Sequence, residues 1–116
     1  MARIRLYNPC DHSKLLDMEL LVDTGSTYTW VRREKLEMLG IKPVDRRRFR
    51  TIEGEVIERE IGEAIVEYLG KRAITIVVFA EKKDHEVLGL HALVDLGLEV
   101  DPVTKLLREA EAIPAL

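Results

Sequence analysis

The stretch Leu20-Leu21-Val22-Asp23-Thr24-Gly25-Ser26 decides the fold, because an apolar segment runs directly into a tight polar turn. In residues 15–22 every even-numbered side chain is apolar, an alternation typical of a half-buried strand. Asp23 then places a carboxylate at the end of that strand, where an unpaired charge is costly to bury. An ordinary turn is one explanation, since Asp, Gly and Ser are common turn residues. A functional carboxylate is the other.

Composition describes one globular domain covering residues 1–116. The chain has 47% hydrophobic and 34% charged residues and a formal net charge of -3. A chain of this length holds a single core, so a site that needs two lobes requires self-association. The nearly balanced charge gives no general attraction to nucleic acid or to anionic membranes, and we expect neither as a partner.

The cysteine content and the apolar runs indicate a cellular location. A single cysteine, Cys10, excludes a disulfide within the chain and suits a reducing compartment. Residues 1–6 contain no apolar stretch of signal-peptide length, and the longest strongly apolar run, 73–80, is far too short to span a membrane. We therefore expect a cytoplasmic protein.

Turn residues divide the chain into short segments rich in Val, Ile, Leu and Tyr, which predicts a mainly β fold. One hairpin is predicted from Val44 onward with its tip at Glu53-Gly54, and a more apolar hairpin is predicted across Gly70-Lys71. Two short helices are predicted to end at Gly40 and Gly97. The remaining predicted strands are 2–7, 27–31, 87–89, 98–100 and the tail to about Arg108, while Pro114 argues against regular structure beyond it.

The segment from Leu20 to Ser26 resembles the active-site loop of retropepsin-like aspartic proteases, the retroviral-type family. The resemblance continues to about Leu107, because the predicted helices and hairpins follow in the order that this family has. It implies a closed or partly open β-barrel with two short helices and a flap hairpin.

The resemblance also implies a reaction. In this family two neighbouring carboxylates share one proton; one acts as base toward a water molecule while the other polarises the scissile carbonyl. The sequence contains a single Asp-Thr-Gly, so the catalytic pair implied is Asp23 from each subunit of a homodimer. The implied activity is an aspartic endopeptidase acting on a peptide or protein substrate, without a cofactor or a metal ion.

The resemblance assigns roles around Asp23. Thr24 would cross-link the two loops through its hydroxyl, and Gly25 would let backbone amides approach the carboxylates. Ser26 would hydrogen-bond an outer carboxylate oxygen. A structural turn would run behind the loop, formed by Val87, Leu88 and Gly89.

The first hairpin would act as a flap over an extended peptide bound by main-chain hydrogen bonds. Its tip residues are Ile52, Glu53, Gly54 and Glu55.

Two features depart from the family pattern and keep a second hypothesis open. Leu90 and His91 follow the buried glycine, where the family commonly has Arg, Asp or Asn. The tip carries Glu53 and Glu55 instead of further glycines. These departures favour the alternative of a catalytically weak or inactive dimeric module that binds peptides with the same fold.

The run Arg46-Arg47-Arg48-Phe49-Arg50 has the composition of a nucleic-acid patch with an aromatic side chain for stacking. The returning strand carries Glu55, Glu58, Glu60 and Glu63, so cross-strand ion pairing explains the run without a ligand. Selection of an acidic peptide or partner by these arginines remains open.

Two further groups of residues are assigned structural roles. Cys10-Asp11-His12 lacks the paired spacing of a zinc site, and no base or oxyanion site is indicated beside the thiol. The aromatic residues Tyr28, Trp30 and Phe79 are predicted to fill the core.

Overall fold

The computed structural model describes residues 1–113 and 115; Pro114 lies outside the described residues. Short strands dominate, as the frequent turn residues predict. In chain order the elements are β1 (Ala2–Asn8), β2 (Asp11–Val22), β3 (Thr29–Arg32), α1 (Arg33–Met38), β4 (Asp45–Arg50), β5 (Val56–Tyr68), β6 (Lys71–Ala80), β7 (Val87–Leu88), α2 (Leu90–Asp95), β8 (Leu98–Val100) and β9 (Leu107–Glu109).

Six strands form a ring. Neighbouring strands pair in the order β1-β2-β7-β3-β6-β5, and β5 closes the ring by pairing with β1 between Arg5–Tyr7 and Ile65–Glu67. Strand β4 pairs with β5 alone and lies outside the ring. The two-residue β7 and the parallel pairings β2–β7 and β3–β6 make the ring irregular. The predicted mainly β fold with two short helices is confirmed, but the ring is not a regular barrel.

The core fills the ring because each strand turns alternate apolar side chains inward. Leu20 on β2, Phe79 on β6 and Leu88 on β7 are fully buried. Helix α2 adds Leu93 to the same cluster, and α1 adds Leu36. The strand that leads into Asp23 is therefore anchored by its buried side chains.

The two predicted hairpins share one strand. Strand β5 runs for 13 residues, pairing first with β4 and then with β6. The tight turn of the second hairpin is centred on Leu69 and Gly70, with φ of 48° and 84°, one residue before the predicted position. Positive φ at both residues matches the right-handed twist of the flanking strands.

The first hairpin has its tip where the sequence predicts it. Residues 51–55 form the turn, in which the Gly54 N–H donates to Thr51 O and the Thr51 N–H donates to Glu55 O, at 2.9 and 2.8 Å. Gly54 has φ of 88°, a conformation that glycine adopts without strain. Ile52 projects into solvent without covering by the chain.

The predicted cross-strand ion pairing is present for one arginine of the run: Arg46 Nε lies 2.8 Å from Glu58 Oε1. Ion pairs with the glutamates of β5 therefore neutralise only part of the positive charge of the arginine run. Arg47 instead turns toward the body of the protein, where its Nη1 donates to the Tyr28 hydroxyl.

Candidate active site

Asp23 lies directly after β2, and its carboxylate is exposed. Its backbone N–H donates to Leu88 O at 3.0 Å, which ties the residue to the neighbouring β7. The buried strand and this hydrogen bond fix the backbone, while the side chain stays accessible to solvent and to a ligand.

The turn after Asp23 is closed by two hydrogen bonds. The Gly25 N–H donates to Asp23 Oδ1 at 2.9 Å, and the Ser26 N–H donates to Asp23 O at 3.1 Å. A Cβ atom at residue 25 would lie only 3.1 Å from Asp23 Oδ1. Gly25 therefore lets the backbone approach the carboxylate closely, and its amide orients one carboxylate oxygen.

Ser26 has a different partner from the one that the resemblance implies. Its hydroxyl donates to Tyr28 O at 2.8 Å, not to a carboxylate oxygen of Asp23. The hydroxyl carries a single proton, so this bond uses its donor within the loop. Ser26 thus stiffens the exit from the turn. Thr24 is exposed at the corner of the turn.

The segment Val87–Gly89 runs behind the loop. Val87 and Leu88 pair in parallel with Leu21 and Val22, and Val87 also pairs with Trp30 on β3. These two residues therefore join the strand before the turn to the strand after it.

The backbone of Gly89 lies very close to the backbone of residues 26–28, which follow Asp23. A Cβ atom there would lie 2.2 Å from Tyr28 O and 2.9 Å from Ser26 O. The Gly89 N–H donates to the buried Thr29 Oγ1 at 3.0 Å, and the Leu90 N–H donates to Ser26 O at 2.7 Å. The loop rests directly on this backbone.

An aromatic cluster lies beside the loop, formed by Tyr28, Trp30, Phe49 and His91. Tyr28 makes edge contacts with Phe49 and His91, with ring centroids 6.1 and 5.3 Å apart. Trp30 contacts Phe49 at 5.1 Å. The prediction that Tyr28 and Trp30 fill the core is wrong, because both side chains are only half-buried and lie outside the buried core. Phe79 is in the core, as predicted.

The cluster links the first hairpin to the loop. Phe49 belongs to β4, whereas Tyr28 and Trp30 follow the Asp23 turn. In the described chain no hydrogen bond joins the tip residues Ile52, Glu53, Gly54 and Glu55 to residues 23–26. The structure thus brings Phe49, on the part of β4 next to the tip turn, to the residues that follow the Asp23 loop.

A partly buried ion pair links the same hairpin to the turn after β6. Arg59 on β5 donates to both carboxylate oxygens of Asp84, at 2.7 and 3.0 Å. Burial raises the pKa of Asp84, but the hydrogen bonds from Arg59 and from the Glu81 amide outweigh it and hold the pKa below its ordinary value. Neither this pair nor the Arg47–Tyr28 hydrogen bond was predicted from the sequence. Strand alternation is the signal that places Arg47 and Phe49 on one face.

The apolar residues Leu90 and Val94 lie on α2 close to the loop. They are 41% and 51% exposed, and they are one helical turn apart on one face. The helix therefore exposes apolar surface to solvent near the Asp23 loop, to which the Leu90 N–H is hydrogen-bonded.

Cys10 and His12 are the remaining residues that the sequence offers for metal binding or nucleophilic chemistry. Cys10 is a free, exposed thiol, and His12 lies near the Tyr7 ring with centroids 6.0 Å apart. Within the described part of the chain, no group of three or more His, Cys, Asp or Glu residues is placed to hold a metal ion. Neither described helix is long and apolar enough to cross a membrane.

Comparison with known proteins agrees with this geometry. The family model of the aspartyl proteases matches residues 10–100, which include the Asp23 turn, the first hairpin and the supporting segment Val87–Gly89. No curated protein sequence matches the chain at a significant level. The match covers more than half of the chain, and so this protein belongs to the aspartyl protease family.

Proposed function

We propose that the protein is an aspartic endopeptidase in which Asp23 from two identical subunits forms the catalytic pair. The observation that carries this proposal is the exposed Asp23 carboxylate, oriented by the Gly25 amide in an Asp-Thr-Gly-Ser turn of an aspartyl protease. An exposed free thiol at Cys10 is compatible with a reducing, cytoplasmic setting.

The need for a second subunit follows from the count of suitable carboxylates. The sequence has one Asp-Thr-Gly, and the chain is too short for a second lobe. Asp84 is committed to Arg59, and Asp101 accepts hydrogen bonds from the Val103 and Thr104 amides. A second copy related by a twofold axis supplies an identical Asp23.

The surface around the loop supports the same arrangement. Leu90 and Val94 expose apolar surface beside the turn, and the Leu90 amide is hydrogen-bonded to it. A second subunit that approaches Asp23 covers these side chains, which contributes hydrophobic stabilisation to the dimer. Thr24, at the exposed corner, lies where its hydroxyl would meet the partner loop.

The reaction follows from the shared proton. Two carboxylates a few ångströms apart do not both ionise readily, so the pair holds one proton, as in aspartic proteases in general. The ionised Asp23 removes a proton from water, the resulting nucleophile attacks the peptide carbonyl, and the protonated Asp23 donates to the carbonyl oxygen. The intermediate then breaks down to a carboxylic acid and an amine.

The first hairpin provides the cover for the substrate. Phe49, on the part of β4 next to the tip turn, packs on Tyr28 and Trp30 beside the loop, whereas Ile52 at the tip is fully exposed. An extended peptide between loop and hairpin binds by main-chain hydrogen bonds, and closure of the tip over it excludes water. Ile52, at the tip, contacts the peptide on closure.

A second candidate function is a dimeric peptide-binding module with little or no proteolytic activity. The observations that favour it are Leu90 and His91 in place of the polar residues common in the family, and the acidic side chains of Glu53 and Glu55 at the tip. The His91 ring makes an edge contact with Tyr28. Repulsion between the Glu53 and Glu55 carboxylates and acidic peptides would slow closure of the tip.

The experiment is cleavage of an unbiased peptide library from about pH 3 to 8, which spans carboxylate titration. Wild type is compared with Asp23→Asn, and Asp95→Asn serves as the matched control, since Asp95 is an exposed carboxylate outside the loop. Analytical ultracentrifugation checks that both variants keep the oligomeric state of the wild type.

We expect a bell-shaped pH profile, because activity is lost when both carboxylates are protonated and again when both are ionised. Asp23→Asn abolishes cleavage and keeps the dimer, whereas Asp95→Asn changes neither. A wild-type dimer that cuts no peptide at any pH favours the binding module. Full activity of Asp23→Asn contradicts both the mechanism and the site.

A further inference from the structure

The inner face of the first hairpin, defined here by Arg47, Phe49 and Arg59, carries two guanidinium groups opposite each other. Arg47 on β4 and Arg59 on β5 are direct cross-strand partners. Like charges in this arrangement repel and destabilise a sheet unless something neutralises them. The environment of each arginine therefore decides what this face binds.

Arg59 is fully neutralised within the chain. Its two hydrogen bonds to Asp84 form a bidentate pair, and the two side chains are only 15% and 10% exposed. The single carboxylate of Asp84 is used in this pair. Asp84 therefore does not also neutralise the charge of Arg47.

Arg47 has a neutral partner. Its Nη1 donates to the Tyr28 hydroxyl at 2.7 Å, and its guanidinium carbon lies 5.9 Å from the centre of the Tyr28 ring. No carboxylate of the described residues lies within 4.0 Å of it. Asp45, two residues earlier on the strand, accepts a hydrogen bond from the Arg46 amide. Most of the five N–H donors of Arg47 are thus open to solvent or to a ligand.

Tyr28 places this cation beside the active-site loop. Its backbone oxygen accepts the Ser26 hydroxyl, and its ring is held by Phe49 and His91. The guanidinium is therefore oriented before a ligand arrives, which reduces the entropy lost on binding. Adjacent aromatic side chains offer an apolar wall for the methylene groups of a ligand side chain.

From this geometry we infer that Arg47 selects peptide substrates with an acidic side chain, glutamate or aspartate, at the one position near the cleaved bond that lies beside Arg47. This position is three residue pairs along the hairpin from the strand end that carries the acidic tip residues Glu53 and Glu55. The substrate carboxylate takes the place beside Arg47 that Asp84 takes beside Arg59. The inference rests on the proposed function, since it concerns the substrate of the same cleft. Arg47 acts here in binding and not in the chemical step.

The experiment compares peptides that differ only by Glu against Gln, placed in turn at each position around the bond that the wild type cleaves. The preference is the ratio of the two kcat/KM values. We expect the wild type to prefer Glu by about tenfold at one position, as for a charged hydrogen bond in a partly exposed site. Arg47→Gln brings this ratio to about one. A third peptide carries Lys at the same position, and Arg47→Glu is expected to cleave it faster than the Glu peptide, the reverse of the wild-type order.

Arg48→Gln is the matched control. Arg48 is the next residue on the same strand, so strand alternation points it to the outer face. The control keeps the Glu preference. The melting temperature and the emission of Trp30, the single tryptophan, check that each variant is folded. The reversal in Arg47→Glu is a gain of specificity, which misfolding does not produce.

Equal cleavage of Glu and Gln peptides by the wild type overturns the inference, as does an equal loss of preference in Arg47→Gln and Arg48→Gln. A wild type that cleaves nothing refutes the proposed endopeptidase. The same peptide pairs are then measured for binding through Trp30 emission. A Glu preference that disappears in Arg47→Gln supports the inference for a binding module, and no preference overturns it.

Discussion

The backbone of Gly89 lies against the carbonyl group of Tyr28 so closely that a Cβ at residue 89 would be 2.2 Å from the oxygen and 2.4 Å from the carbon. Both contacts are to main-chain atoms, which cannot move aside without moving the Asp23 loop. The Gly89 N–H donates a hydrogen bond to the Oγ1 of Thr29, the residue after Tyr28. The backbone of Gly89 therefore supports the Asp23 loop at a distance that only a residue without a side chain allows.

Gly89→Ala is expected to destabilise the fold by about 3 kcal/mol or more, because the added methyl group overlaps backbone that has no room to relax. Thermal or urea unfolding measures the loss. Gly70→Ala is the control: its Cβ meets open space and only its φ of 84° is unfavourable. It should cost about 1 kcal/mol. Equal losses in the two variants would show that the close contact with Tyr28 does not limit residue 89.

Asp84→Asn is expected to lower stability at pH 7 by about 2 kcal/mol, because it leaves the poorly exposed Arg59 guanidinium without its counter-charge. The pKa of Asp84 is lowered in the fold, so its stabilising charge is fully present above the ordinary value of about 4 and is lost as the pH falls through the lower folded value. The difference between variant and wild type should therefore shrink below pH 4.

Asp17→Asn is the control for this pH dependence. Asp17 also accepts hydrogen bonds from an arginine, Arg5, but both side chains are well exposed. We expect this change to cost much less stability than Asp84→Asn, because solvent screens an exposed ion pair. Urea unfolding from about pH 3 to 8 compares the two variants. A constant difference for Asp84→Asn across this range contradicts the assignment of the stabilisation to the Arg59–Asp84 charge pair.

Ile52→Ser tests closure of the hairpin tip. The Ile52 side chain is fully exposed, so its replacement should change stability by less than about 0.5 kcal/mol. If the tip closes over the peptide, the variant loses apolar contact with the substrate and KM rises several-fold. Val103→Ser, which alters a similarly exposed residue far along the chain, should leave KM unchanged. Unchanged KM in both variants argues against contact between the tip and the substrate.

Leu90→Asp tests the surface that the second subunit is proposed to cover. A charge buried at an interface without a partner is unfavourable, so the dimer should dissociate and activity should fall with it. Met38→Asp, on the exposed side of α1, is the control and should leave both unchanged. Sedimentation at several protein concentrations measures the change. A Leu90→Asp dimer as tight as the wild type places the interface elsewhere.

Local pattern predicted much of this fold. The alternation in residues 15–22 predicted β2, and glycines with positive φ marked the end of each helix, at Gly40 and Gly97. Strand β2 nevertheless begins earlier, at Asp11, which pairs with Asn8 across an irregularity in the register of β1 and β2. The polar residues of this irregular start do not alternate with apolar ones, so they leave no periodic signal in the sequence.

The surroundings of the site were harder to predict. An aromatic residue in a strand packs well on either face, so the pattern did not decide whether Tyr28 and Trp30 enter the core or face the first hairpin. The hairpin covers their side of β3 and brings Arg47 to Tyr28. This contact depends on how a long hairpin folds over the ring, which is a tertiary property. The Asp-Thr-Gly-Ser turn is local and was visible directly.

The most direct test of the shared Asp23 pair is to mix wild-type chains with increasing amounts of Asp23→Asn chains, allow subunits to exchange, and measure cleavage per wild-type chain. If both subunits contribute Asp23, mixed dimers are inactive, and an equal mixture retains about half of the activity per wild-type chain. Activity per wild-type chain that stays constant at every ratio would contradict the account, because each chain would then carry a complete catalytic site.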